Sequence, residues 1–169
     1  QVREWLARKA IGEPRILQAD FSFRGGWNPE GRHLNPELGG GVLLDVGVYT
    51  MAFASMVFGG IPAKITGFCH LGETKVDEQS AMVLSYPRGE LAVLACAIRT
   101  NMLQEARIFG TDGMIHVPGF WHASQATLTV YGKGSETVTP PIEGTGYNYE
   151  AVEVGRCLKA GLKESPVIP

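Results

Sequence analysis

Leu91-Ala92-Val93-Leu94-Ala95-Cys96-Ala97-Ile98 is the stretch on which the fold turns. Read as a strand, it sets Leu91, Val93, Ala95 and Ala97 on one face and Ala92, Leu94, Cys96 and Ile98 on the other. A strand apolar on both sides needs two covers. Helices can supply one, and a second copy of the chain is the simplest candidate for the other.

Strand-like runs surround it at 15–24, 63–71, 79–86, 104–109, 113–117 and 125–131, with the apolar stretch itself inside 90–100. In the first run Leu17, Ala19, Phe21 and Phe23 alternate with Gln18, Asp20 and Ser22. Pro87-Arg88-Gly89 and Thr111-Asp112-Gly113 are hairpin-type breaks. Strands joined by short turns predict a largely antiparallel sheet. Helices are predicted at three places: near the start, where Gly12 and Pro14 stop the Val2, Trp5, Leu6 pattern; over 40–58, ended by Gly59-Gly60; and over 147–162. The last carries Tyr147, Ala151, Val154, Leu158 and Leu162 as its stripe. The fold class is α+β, with helices on one face of the sheet.

The 169 residues suit one domain, and a formal net charge of −2 provides no basic field for nucleic acid or an anionic membrane. The longest apolar run, 42–58, is interrupted by Asp45, Gly47 and Tyr49, so no membrane span is expected. Cys69, Cys96 and Cys157 show no paired spacing, which points to a reducing, cytoplasmic setting. His70, His116 and His122 sit in or near strands with no carboxylate or Cys at ligand spacing, so no metal is expected. The chain opens on Gln1 without an initiator Met and closes on a Ser-Pro-Val-Ile-Pro connector, so truncation at both ends is expected.

The chemistry concentrates in Gly39-Gly40-Gly41-Val42-Leu43-Leu44-Asp45-Val46-Gly47-Val48-Tyr49. Asp45 and Tyr49 are four apart, on one helix face. An acid and a phenol on an apolar helix are costly unless satisfied. Two readings stay open: Tyr49 as a proton donor with Asp45 orienting a substrate hydroxyl or the phenol itself, or an Asp near the helix start that satisfies amides and favours the dipole, beside a core Tyr. The three glycines admit a ligand or another backbone at the helix start, although they lack the Gly-x-Gly-x-x-Gly spacing of a dinucleotide turn. Trp27, Arg32 and His33 lie in a long loop, 25–38.

Gly-Gly-Gly-x-Leu-x-Asp-x-Gly-x-Tyr resembles the signature of the glucose–fructose oxidoreductase / inositol dehydrogenase (Gfo/Idh/MocA) family, nearest its dihydrodiol dehydrogenase subgroup. Val57-Phe58-Gly59-Gly60, Val76-Asp77-Glu78, Phe109-Gly110-Thr111-Asp112-Gly113-Met114 and the 161–169 segment extend the likeness over nearly the whole chain. The resemblance implies an open, mostly antiparallel sheet whose free face makes a homodimer or higher oligomer. It implies that 1–169 is a single carboxy-terminal substrate-binding and dimerisation domain, separated from its own Rossmann domain.

By the same resemblance Tyr49 is the acid/base residue, Asp45 its acidic partner and Trp121 a pocket residue. Trp27, Arg32 and His33 approach substrate or cofactor, and Gly40 and Gly41 border the cofactor. The implied activity is hydride transfer between NAD or NADP and a sugar, polyol or diol carbon. The family's dinucleotide fingerprint and Glu-Lys-Pro segment do not occur in this chain, so alone it should be inactive. The alternative is a non-catalytic sugar-sensing or dimerisation module of the same fold.

Overall fold

The computed structural model describes residues 1–167. Residues 168–169, which complete the connector and the 161–169 likeness, lie outside the described residues. The strands are β1 (Pro14–Ser22), β2 (Lys64–Leu71), β3 (Asp77–Ser85), β4 (Leu91–Ala97), β5 (Glu105–Gly110), β6 (Gly113–Pro118), β7 (Ala126–Val130) and β8 (Gly134–Val138). They form one open sheet in the order β2-β3-β4-β1-β5-β6-β7-β8. Every neighbour pair is antiparallel except β1 and β4, which run parallel with Leu17 beside Ala92 and Phe21 beside Cys96.

One face of the sheet is dry. Leu17 and Ala19 of β1, Leu94 and Cys96 of β4, and Ile108 of β5 are buried there. Their covers are α1 (Val2–Ala7), which buries Trp5, and the helical stretch leading through α2 (Val48–Phe58). Val42, Val46, Thr50, Ala54 and Phe58 are the buried side of that stretch, a spacing of four that lays one stripe on the sheet. The other face carries Ile16, Phe68, Val83, Leu91 and Val93 with their side chains exposed. The α+β prediction therefore holds, including the doubly apolar strand at the centre of the sheet.

Four expectations need correction. The helix predicted over 40–58 is not uniform: Leu43–Gly47 winds as a π turn before α2 begins. Pro36–Phe58 is also long and apolar enough to cross a membrane, contrary to the reading of 42–58; the stripe named above is buried against the sheet. Strand β8 was not anticipated, because Gly-Ser-Glu-Thr-Val has no apolar alternation. It is held by side-chain hydroxyls as well as backbone, with Thr127 to Thr137 and Thr129 to Ser135 both at 2.8 Å. Finally, the stripe predicted to bury α3 (Tyr147–Lys159) is exposed at Tyr147, Val154 and Leu158, and Cys157 is the buried residue of that helix.

Candidate active site

The glycine-rich entrance is shaped by contacts within the chain. Gly40 N–H donates to the Asn35 carbonyl and Gly41 N–H to that of His33, both committing amides that a ligand would otherwise meet. Gly41 has φ of 124°, and a Cβ there would lie 2.2 Å from Asp77 Oδ1. The close approach that the glycines permit is thus made by this chain's own backbone and by Asp77. That carboxylate, from the start of β3, accepts from Leu43 N–H at 2.9 Å and from Ser80 Oγ at 3.0 Å. It satisfies an amide at the helix start, the task that one reading of the sequence gave to Asp45.

Asp45 is free for other partners. The π turn holds it at low exposure, 13% for its side chain, with Arg32 Nη2 at 2.6 Å and His33 Nε2 at 3.7 Å. The turn is pressed close to β4: a Cβ on Gly47 would come within 3.1 Å of Cys96 Sγ. Single π turns concentrate at functional positions because they re-aim side chains without breaking the helix.

One turn on, Tyr49 is exposed at 38% with its ring edge against Phe21, centroids 5.3 Å apart at 75°. Its hydroxyl is held above the ordinary phenol range, first by burial and then by Tyr147, Glu150 and Asp45 nearby. Negative neighbours disfavour a phenolate, so the proton stays on the oxygen at neutral pH. Tyr49 borders a cavity of about 200 Å³ whose walls include Trp121, His122, Ile142, Tyr147 and Glu150. Trp121 stacks on Phe21 at 5.0 Å, with 10° between the rings. His122 Nε2 lies 3.0 Å from the Thr145 carbonyl, tying the turn that carries Trp121 to the segment before α3.

Of the residues singled out in the sequence, Tyr49 and Trp121 share the cavity, while Arg32 and His33 gather on Asp45, one turn before Tyr49. Trp27 stands elsewhere. Its ring lies under the Arg99 guanidinium at 5.5 Å and lines a separate recess with Glu78 and His70. Among the described residues no group of three or more His, Cys, Asp or Glu could hold a metal ion. The sequence reading missed Phe21, His122, Tyr147 and Glu150. Phe21 and Tyr147 were visible only as members of apolar stripes, and nothing local marks His122 or Glu150.

A family model described as the GFO/IDH/MocA C-terminal domain matches residues 1–116. A trans-1,2-dihydrobenzene-1,2-diol dehydrogenase of Mus musculus is 38% identical over 99% of this chain and 52% of its own length. The enzyme of that name from Homo sapiens is 36% identical over the same shares. The chain therefore spans about half the length of the curated relatives it matches. Among solved structures, an aldose-aldose oxidoreductase from Caulobacter crescentus complexed with glycerol superposes with a TM-score of 0.83 at 20% identity, covering 98% of this chain and 51% of that one. A 3-ketoreductase from Actinomadura kijaniata, in complex with NADP and TDP-benzene, gives 0.78 at 21% identity over the same shares. These last two likenesses concern the fold.

Proposed function

This chain belongs to the GFO/IDH/MocA family, and from that membership we propose that it forms the substrate-side half of an NAD(P)-dependent oxidoreductase acting on a diol, sugar or polyol. The observation that carries the proposal is Tyr49, a protonated phenol on the wall of an aromatic cavity with a charge-compensated carboxylate one turn behind it. The names of the relatives favour a diol, so trans-1,2-dihydrobenzene-1,2-diol is the probe of choice.

The nicotinamide cofactor would be held mainly by a dinucleotide-binding half. Gly40 and Gly41 have already committed their amides within the chain. When bound, the cofactor supplies the hydride chemistry. The residues of this chain do the rest. Trp121 and Tyr147 present ring surface to the substrate and exclude water from it. Tyr49 Oη hands its proton to the substrate oxygen when a carbonyl is reduced, and takes one back when a hydroxyl is oxidised. Asp45, neutralised in part by Arg32, holds its negative charge behind the phenol. A cation contributed by the other half would lower the phenol toward the range that oxidation needs.

Pairing of two copies through the open sheet face belongs to the same proposal. It rests on the exposed apolar side chains of Ile16, Phe68, Val83, Leu91 and Val93.

The test is an initial-rate assay of the protein carrying both halves, with NAD or NADP and the diol. Tyr49→Phe keeps the ring contact with Phe21 and should lower kcat by about a hundred- to ten-thousand-fold, with KM moving less. Full activity in that variant would overturn the acid/base role.

A further inference from the structure

We propose that Gln104 is a positioning residue that sets the Trp121 indole as a wall of the Tyr49 cavity, a role that rests on the function proposed above. Gln104 precedes β5 and does not line the cavity. Its backbone has φ of 59°, in the left-handed region that a side chain disfavours. No glycine stands there, so what the side chain does must outweigh the strain.

Two hydrogen bonds lay this residue onto the end of β1. Gln104 N–H donates to Asp20 Oδ2 at 2.7 Å, and the side-chain Nε2 donates to the Ser22 carbonyl at 2.7 Å. Nearby, Met102 N–H donates to Ser22 Oγ at 2.6 Å. The left-handed backbone is what allows the main-chain amide and the side-chain amide to face the same strand end. The amide oxygen is left over, and it accepts from Trp121 Nε1 at 3.1 Å. A carbonyl can only accept and an indole N–H can only donate, so the orientation of the amide follows from its partners.

Trp121 needs such a tether. It sits in the short turn Phe120–His122, entered through Gly119 at φ of 54°, and its side is substantially exposed. Stacking on Phe21 fixes the plane of the indole but leaves the ring free to rotate within that plane. The bond to Gln104 removes that freedom. Glutamine suits the place because it combines one acceptor and one donor group: a glutamate would turn an acceptor toward the Ser22 carbonyl. A strained residue held by several bonds next to a cavity wall is the pattern expected where precise placement matters.

The experiment uses the protein carrying both halves, with Gln104→Gly, Gln104→Leu, Trp121→Phe and the Gln104→Gly/Trp121→Phe double variant. Gln104→Gly relieves the left-handed strain and keeps the N–H to Asp20, so a folding defect is not expected to mask its effect. In the Trp121 background both Gln104 variants should raise KM for trans-1,2-dihydrobenzene-1,2-diol by about three- to tenfold, more than they change kcat. The near-ultraviolet circular dichroism of the indole should weaken in parallel. In the Trp121→Phe background Gln104→Gly should change neither KM nor the spectrum. Equal effects in both backgrounds would overturn the proposal, and so would an unchanged spectrum in the Trp121 background. The spectrum does not depend on turnover, so inactivity toward the diol would count against the proposed function while the coupling of Gln104 to Trp121 remained readable.

Discussion

Arg32 Nη2 lies 2.6 Å from Asp45 Oδ1, so a loop residue that local sequence leaves unplaced is clasped to the carboxylate behind Tyr49. The arginine side chain is 66% exposed and the aspartate 13%. Such a pair contributes little to stability, because solvent screens its outer member. Its effect should fall on the charge and orientation of Asp45.

Arg32→Met in the protein carrying both halves should therefore cost less than about 1 kcal/mol in a urea melt. It should lower kcat/KM by about tenfold, in line with loss of one charge-assisted hydrogen bond. Arg32→Lys should recover part of the loss. Equal activity of the Met and wild-type proteins would show that the pair is incidental.

Asp77 and Gly41 should behave as one device. Asp77→Ala removes the acceptor for Leu43 N–H and Ser80 Oγ, and should destabilise by about 1–2 kcal/mol. Gly41→Ala should cost more, because φ of 124° is disfavoured for alanine and its Cβ would meet Asp77 Oδ1 at 2.2 Å. Chemical denaturation of both variants measures the order; a harmless Gly41→Ala would contradict it.

The open face makes a prediction about assembly. Val93 lies in the middle of it, between Gln18 of β1 and Val83 of β3. Val93→Glu places a charge where two copies would meet, while the exposed position spares the fold. Sedimentation velocity should show the wild type paired and the variant monomeric, with melting temperatures within a few degrees of each other. A wild type that sediments as a monomer at high micromolar concentration would end the pairing proposal.

Cys96 gives the fold a pH dependence. Its thiol is pushed up to about 11, chiefly by burial and next by the Asp77 carboxylate. The unfolded thiol releases its proton near 9, so between pH 9 and about 11 the unfolded state binds fewer protons than the folded one. The thiol's contribution is intact below pH 9 and falls as pH rises through this window, by about 2–3 kcal/mol. Urea melts from pH 8 to 11 should show a steeper decline for the wild type than for Cys96→Ala. Parallel curves would mean the buried thiol ionises freely.

The legible part of the molecule was written in short-range patterns. The alternation in 15–24, the apolar runs within 90–100 and 40–58 and the Gly59-Gly60 stop each depend on neighbours a few residues apart, and they emerged as β1, β4, α2 and its end. The Asp45 and Tyr49 pair was legible too, because a carboxylate and a phenol stand out on an apolar helix. Strand β8 was not, since its polar residues acquire a strand's geometry only by pairing with β7.

By itself, the sequence determined the α+β class, the doubly apolar central strand and the acid–phenol motif, because backbone periodicity and side-chain polarity are local properties. Tertiary structure alone decided that β1 runs parallel to β4, that Asp77 rather than Asp45 receives the helix amide, and that Trp27 stands apart from Arg32 and His33. It also decided that Gln104 bonds a carbonyl 82 residues away and the indole of Trp121 at once. Those relationships join distant segments whose meeting depends on the register of the whole sheet, and no local pattern in either segment encodes the other.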